Sequence, residues 1–439
     1  MHSDTPAAVG RCVRRAHLDE PLSVGVLITL VRGSGAGGHV KCWERFAEAA
    51  IALPPGTLDL TIYTLGADVS DESWSSSVRF CALPPRLSTA RFSLLAQDAG
   101  HTDLAPYHAR LARRLGDHTV LHTTDSFSFA RTALRVARGN GQALVASIHT
   151  DLPAFTRVYS REIIGQVVGT GRLGRLVLDA WNVPDRLGRR AERRVGRLLR
   201  SHDRVLVSKD ADRTFAEPLV GADRVSWLRR GIDLDRFHPR HRDRARLAAD
   251  LGIPDDRPLL LFVGRADDSK RVMTVGHAAR HLLDEGMDLH VLVVGEGKRR
   301  VDLSALLGAH ATVPGALPQE RLPMLYASAD LFVFPSESEV SPNVVLEARA
   351  SGLPVLLSVR DGGARFVARS GEDGILMDDP APDAWAKALR PMLANPEART
   401  QMGCRARAVV EATAPTWRTV LEQDLFPAWQ AAAAAVSRR

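Results

Sequence analysis

The chain has 439 residues, of which 45% are hydrophobic and 25% charged, with a formal net charge of +7. That length predicts two or three domains with ample core, and the composition excludes disordered, collagenous and disulfide-stapled classes. Cys12, Cys42, Cys81 and Cys404 have no metal-ligand spacing, no run nears the roughly 18–20 apolar residues of a membrane span, and no signal segment opens the chain, so the expected compartment is the cytoplasm.

Short β-branched runs alternate with amphipathic segments of helix length, the pattern of parallel sheets with crossover helices. The first half offers strands at Ser23–Val31, Leu58–Tyr63, Thr119–His122, Ala143–His149 and Arg204–Val207. After the first of these, Gly33-Ser-Gly-Ala-Gly-Gly38 fits a G-x-G-x-x-G loop at Gly33, Gly35 and Gly38. Such glycines let backbone N–H groups approach a pyrophosphate. The acid that a dinucleotide site expects at the end of the second strand is missing, since Asp59 opens that strand and Thr64 follows it. A glycine loop near another phosphate or a sugar explains the pattern equally well. His149 leaves its strand in Ser147-Ile-His-Thr-Asp-Leu-Pro153, where an imidazole can meet a sugar hydroxyl or a phosphate, with Asp151 two residues on.

The basic excess is almost wholly arginine, lysine occurring only at Lys41, Lys209, Lys270, Lys298 and Lys387. No aromatic residues interleave with basic ones as in a nucleic-acid surface, so no nucleic-acid partner is expected. Eight arginines lie between Arg186 and Arg204, and those at 190, 193, 194 and 197 share a helical face. That face is either a solvated one or a peripheral contact with an anionic membrane.

A composition break at 233–257 is read as a hinge between an amino-terminal domain, 1–232, and a carboxyl-terminal one, 258–414. A final helix over 415–439 carries Trp417, Leu421, Phe426 and Trp429. The second half has strands at Leu259–Val263, Leu289–Val294, Ala311–Val313, Leu331–Phe334 and Pro354–Val359. Gly264-Arg265 ends the first of these, with Lys270 five residues beyond, a glycine turn and two cations suited to a diphosphate. Gly295-Glu296-Gly297 and Val313-Pro-Gly315-Ala-Leu317 are further turns at strand ends, and the backbone of the second is placed to meet a base. The fold class is therefore α/β, with two doubly wound domains whose strand ends line a cleft.

The richest stretch is Glu339-Val-Ser-Pro-Asn-Val-Val-Leu-Glu347. Ser341 is read as an N-cap and Pro342 as the first helical residue, with helix over Asn343–Ala350 ended by Gly352 and Pro354. Free N–H groups at such a start suit an anionic or oxygen-rich ligand. Eight positions rise about 12 Å along a helix, too far for two carboxylates flanking one glycosidic bond, which need about 5 to 9.5 Å. These glutamates are better spaced to hold the two ends of one long ligand.

In order and spacing these segments resemble the retaining, nucleotide-sugar-dependent glycosyltransferases of family 4, which have the two-domain GT-B fold. The likeness rests on Gly37-Gly38, His149, Arg230-Gly-Ile-Asp-Leu-Asp-Arg-Phe-His-Pro239, Gly264-Arg265 through Lys270, Gly295-Glu-Gly297, and Glu339 through Glu347 with Gly352-Leu-Pro-Val. It is strongest over 225–376 and is closest to the branch of sulfoquinovosyl- and mannosyl-lipid transferases. The resemblance implies that Arg265 and Lys270 hold the donor diphosphate, Glu347 the ribose and Glu339 the donor sugar. Backbone near Ser341, Asn343 and Val344 would meet sugar or diphosphate, with Gly295, Glu296 and Gly315 along the nucleotide. His149 would contact the sugar near the reacting carbon, and Gly37 and Gly38 would let the acceptor side approach. It implies a final helix crossing back to the first domain, a UDP- or GDP-sugar donor, and a lipid or cell-envelope glycan acceptor. No metal or other cofactor is expected, because two protein cations stand where a magnesium ion would. Relatives often carry Phe-Gly at Ser341-Pro342 and an acid at Ser269, which leaves the sugar site and the lysine's surroundings open. The competing readings are an epimerase or phosphorylase on the same scaffold, a silent sugar-nucleotide-binding subunit, and an NAD-dependent oxidoreductase built on the Gly33–Gly38 loop.

Overall fold

A computed structural model describes residues 21–33, 37–91, 101–149, 152–168, 171, 178, 181–337 and 339–439; Gly35 and Asp151 lie outside them. Strands β1 (Leu22–Val31), β2 (Leu58–Leu65), β3 (Ser70–Ser73), β4 (Val78–Leu83), β5 (Val120–Thr123), β6 (Ala143–Ser147), β7 (Arg204–Val207) and β8 (Val225–Trp227) make the first sheet, in the order β3-β4-β2-β1-β5-β6-β7-β8. The second sheet holds β9 (Leu259–Val263), β10 (His290–Val294), β11 (Ala311–Gly315), β12 (Leu331–Phe334), β13 (Val355–Ser358) and β14 (Ile375–Met377), in the order β11-β10-β9-β12-β13-β14. Every pairing is parallel except β3 with β4. β9, β10, β12 and β13 are buried throughout, as strands covered on both faces require.

In each sheet the chain reverses its direction of travel once, between β1 and β5 and between β9 and β12. Such switch points open a crevice at the carboxyl ends of the strands. The loops that leave them carry Gly37-Gly38, Arg265 and Glu339.

Between the sheets the chain passes twice. Leu228 belongs to the first core and Ile232 to the second, so the passage occupies a few residues around Gly231. Phe237, Leu247 and Ile253, inside the stretch read as a hinge, pack into the second core. The return runs past Pro415, whose carbonyl accepts from Ile232 N at 3.0 Å. Beyond it, Val420, Leu421, Leu425, Ala428, Trp429 and Ala432 pack into the core of the first sheet. The final helix therefore crosses back, with a π-helical turn at Leu421–Leu425. The Val183–Leu199 helix exposes Arg186, Arg189, Arg190, Arg193, Arg194 and Arg197 and buries Gly188, Gly196 and Leu199. No helix among the described residues is long and apolar enough to cross a membrane.

Candidate active site

The carboxyl edge of the second sheet carries most of the residues singled out above. Arg265 follows β9, and its NH2 donates to Ser269 Oγ at 2.9 Å while its NH1 lies 3.2 Å from Asp267 Oδ2. Ser269 Oγ donates in turn to Asp267 Oδ1 at 2.6 Å, and the same oxygen accepts from Lys270 N at 3.2 Å. The acid missing at position 269 is thus supplied by Asp267, two residues earlier, which also caps the turn that presents Lys270. Sequence reasoning passed over Asp267 because it counted the acid at a fixed offset from the lysine. Lys270 is buried and ion-paired with Glu339. Burial alone would raise the Glu339 carboxyl; Lys270, then Arg265 and Arg230, hold it below its ordinary range.

Gly295 and Gly297 take φ of +143° and +153°, and a Cβ on either would run into the backbone of Gly264 or Ala266. The β10 turn therefore packs backbone to backbone on the Arg265 loop. Glu296 folds over Gly315, accepting from Ala316 N at 3.0 Å and pairing with Arg300 at 2.7 Å. Gly295, Glu296 and Gly315 consequently form one continuous edge beside Arg265, since Gly295 N donates to Gly315 O at 2.9 Å.

The helix start departs from expectation in one respect. Pro342, not Ser341, occupies the N-cap position, no side chain caps it, and the helix begins at Asn343. Ser341 is unavailable as a cap because Arg365 NH2 donates to its hydroxyl and Arg230 Nε to its carbonyl, the latter at 3.2 Å. Val344 packs on the second core. Asn343 Oδ1 is buried without a hydrogen-bond partner. Asn343 and Glu347 line a depression between the sheets whose other wall holds Lys41, Arg45, Asp233 and Arg236. Burial raises the Glu347 carboxyl, opposed by Tyr326 and, more weakly, by Arg45 and Arg236.

Four groups that the sequence did not assign complete the cluster. Buried Arg230 leaves the first core and reaches three neutral acceptors: Ser341 O, Cys42 Sγ at 2.9 Å and His149 Nδ1 at 3.2 Å. Arg365 donates to Val340 O at 3.0 Å, and burial, then neighbouring Arg230, lower its guanidinium to about 10. Asp361 is buried, accepts from Gly363 N at 2.7 Å, and is pushed up to about 7 by burial and then by Glu339. His39, in the first turn of the Gly38–Ile51 helix, stacks on His149 with centroids 4.4 Å apart and 13° between planes. Only Arg230 had a visible signal, the Arg-Gly-Ile-Asp segment; Asp361 sits in a turn, Arg365 in a short 3-10 helix and His39 at a helix start, none with a pattern of its own.

The first-sheet wall thus meets the second through His39, His149, Arg230 and Ser341. Gly33, Gly37 and Gly38 need no positive φ, and a Cβ on any of them meets nothing within 4 Å. Asp59 lies at the opposite end of its strand, opposite Ser23 and bonded to Arg79 at 2.5 Å, so it is no partner for the glycine loop. Among the described residues no group of three or more His, Cys, Asp or Glu side chains is arranged to hold a metal ion.

The family model described as "Glycosyl transferases group 1" matches residues 243–409. A D-inositol 3-phosphate glycosyltransferase of Kineococcus radiotolerans is 31% identical over 307 residues, covering 58% of this chain and 70% of that protein. One of Nocardia farcinica is 36% identical over 234 residues, 50% of this chain and 51% of the relative. Sulfoquinovosyl transferase SQD2 of Arabidopsis thaliana is 28% identical over 297 residues, 66% of this chain and 53% of the relative. The chain thus spans about half the length of those last two proteins. Among solved structures, sucrose-phosphate synthase of Thermosynechococcus elongatus superposes with a TM-score of 0.68 at 19% identity, covering 92% of this chain and 99% of that one. Anabaena HepE in complex with UDP-glucose gives 0.62 at 14% identity, covering 95% and 100%. The fold is the two-sheet GT-B arrangement, and the chain belongs to the group 1 glycosyl transferases.

Proposed function

We propose that this chain is a retaining hexosyltransferase that takes its sugar from a nucleoside diphosphate and delivers it to a hydroxyl acceptor. The observation that carries the reading is the pairing of Arg265 and Lys270 at the end of β9 with Glu339 and Glu347 on either side of the helix start. In this reading the diphosphate replaces Glu339 as the partner of Lys270, and Arg265 grips it from the other side. Released, Glu339 accepts from donor-sugar hydroxyls. Glu347 and the unpartnered Asn343 Oδ1 face the ribose, Gly295, Glu296 and Gly315 border the nucleotide, and Gly37 and Gly38 leave room for the acceptor. Backbone at Ser341 and Val344 lies beside the sugar.

The chemistry is charge stabilisation and positioning. As the glycosidic C–O bond breaks, its electron pair passes to the diphosphate, whose added charge meets Lys270 and Arg265. The attacking hydroxyl approaches on the same face and its proton leaves with that phosphate. Because two protein cations serve the leaving group, turnover is expected to persist in EDTA.

A lipid or cell-envelope glycan is the acceptor we favour, supported by the exposed arginine face of the Val183–Leu199 helix beside exposed Trp181 and Leu187. The similarity to relatives named D-inositol 3-phosphate glycosyltransferase makes a phosphate-bearing hydroxyl acceptor the alternative. Co-sedimentation with anionic but not neutral vesicles at low salt is the expected result for the membrane setting.

The test of the main reading is a thermal-shift panel of UDP-, GDP- and ADP-sugars, followed by hydrolysis or transfer assays with the stabilising donor. Arg265→Ala, Lys270→Ala and Glu339→Ala are each expected to lower kcat/KM by about a hundredfold or more. Full turnover in the two cation variants would remove the basis of the assignment.

A further inference from the structure

Two stacked imidazoles close the first-sheet side of the site, and their nitrogens are not equivalent. His149 Nε2 lies 2.8 Å from Ser147 Oγ, and Nδ1 receives Arg230 NH2 at 3.2 Å. Trp429 Nε1 donates to His122 Nδ1 at 2.9 Å, and His122 Nε2 lies 2.9 Å from the same Ser147 Oγ. Indole and guanidinium nitrogens only donate, so they fix both tautomers from the two ends of the chain. His122 and His149 each carry their proton on Nε2, and Ser147 Oγ accepts both with its two lone pairs. A second proton on either ring would face a fixed N–H donor. His149 is thereby held neutral, as a positioning group for Arg230, with no nitrogen left for a ligand.

His39 is different. Its Nε2 is buried and has no hydrogen-bond partner, while its ring is held parallel to His149. The two residues before it, Gly37 and Gly38, border space that no described group fills. Burial, then Arg230, lower its pKa to about 3, so the ring is neutral, one nitrogen an N–H donor and the other an acceptor, and it is no base near pH 7. It lies on the first-sheet side of Arg230, opposite Glu339, Lys270 and Arg265. In the glycosyl-transfer reading the acceptor enters past Gly37 and Gly38 and meets this ring first.

We infer that the Nε2–H of His39 donates to the attacking oxygen of the acceptor, an alcohol or, in hydrolysis, water, and so positions it for the transfer; this rests on the glycosyl-transfer reading above. The attacking oxygen keeps one lone pair for the bond to the sugar carbon. The bond from that carbon to the phosphate oxygen breaks, and the attacking oxygen's proton goes to the departing diphosphate. His39 exchanges no proton.

The test compares His39→Phe, which keeps a stacked ring but no nitrogen, with His39→Gln, whose amide nitrogen reaches the place of Nε2. His39→Leu replaces the first if it fails to fold. Hydrolysis of UDP-glucose and GDP-mannose gives kcat and donor KM, and the thermal midpoint with and without UDP or GDP gives stability and nucleotide binding. The Phe variant is expected to lose at least about tenfold in kcat, with donor KM and nucleotide shift within about twofold of the parent. Its midpoint without ligand should be unchanged or raised, because an unpaired buried nitrogen has been removed. His39→Gln should recover kcat to within about threefold of the parent. An unchanged kcat in His39→Phe, or a raised donor KM with kcat intact, would overturn the inference and leave the donor-site reading standing. A parent protein that neither binds nucleotide nor hydrolyses donor would overturn both.

Discussion

Asp361 shows how one residue reports on the site. Its carboxyl is buried, and its neighbour across the Asp361-Gly362-Gly363 turn is another acid, Glu339, whose carbonyl accepts from Gly362 N at 3.1 Å. Burial and then Glu339 raise it from 3.8 to about 7. The sign follows from proton counting. Between those two values the folded chain holds a proton that the unfolded chain has lost, so stability falls as pH rises through that window. Replacing Asp361 by Asn keeps the acceptor for Gly363 N and removes the titration. Asp361→Asn should match the parent near pH 4 and exceed it at pH 8. A shift of three units corresponds to about 4 kcal/mol, but the charge is shared with Glu339, so a gain on the order of 1–2 kcal/mol is expected. Thermal midpoints across pH check this, and equal midpoints at pH 8 would mean that the carboxylate is not held at a cost. A native acid retained against stability is the pattern of a functional site.

Elements differ in how far the sequence announces them. The Asn343–Ala350 helix and the five strands of the second half proposed from apolar runs are present within a residue or two, because fully buried parallel strands read as unbroken apolar stretches. β3 was missed because Ser70–Ser73 is an exposed edge strand without an apolar residue, β8 and β14 because three residues carry no period, and β4 because Arg79 breaks its short apolar run. Residue type and spacing singled out Arg265, Lys270, Glu339 and Glu347, which the fold sets around the end of β9 and the start of the Asn343–Ala350 helix. The site was illegible where tertiary approach creates the contact, as for Arg230 on Ser341 O or His39 on His149.

Glycines divide in the same way. Gly295 is fixed by a positive φ and by the Gly264 carbonyl, whereas Gly37 has an ordinary φ and open space. Gly295→Ala should therefore cost at least about 2 kcal/mol and displace the Arg265 loop, lowering the denaturation midpoint and nucleotide binding together. Gly37→Ala should change stability by less than about 0.5 kcal/mol, so any loss of turnover there reports on ligand approach. Equal stability losses at both positions would contradict this division.

At the scale of the whole molecule, the two halves are tied by two adjacent passages of chain and by the final helix. A Cβ on Gly231 would strike the backbone of Trp417, and Ile232 N bonds Pro415 O, so the passages are packed side by side. Beyond them, Arg229 bonds the buried Asp424 through its backbone N at 2.8 Å and its NH2 at 2.7 Å, and Trp429 is enclosed in the first core. The last 23 residues, 417–439, thus complete a core whose sheet is made almost 200 residues earlier. Removing the indole by Trp429→Ala leaves His122 Nδ1 without its donor and opens a cavity, at a cost of about 3–5 kcal/mol. That is a large share of the 5–15 kcal/mol that domains typically have, and it falls on the first half alone. Calorimetry of the variant should therefore show an early transition for the first half, separated from a later one that a stabilising nucleoside diphosphate raises. The parent should unfold with the two closer together. If the variant kept the parent's profile, the final helix would not be holding the first sheet. If both transitions fell equally, the two cores would be coupled far more tightly than two short passages of chain allow.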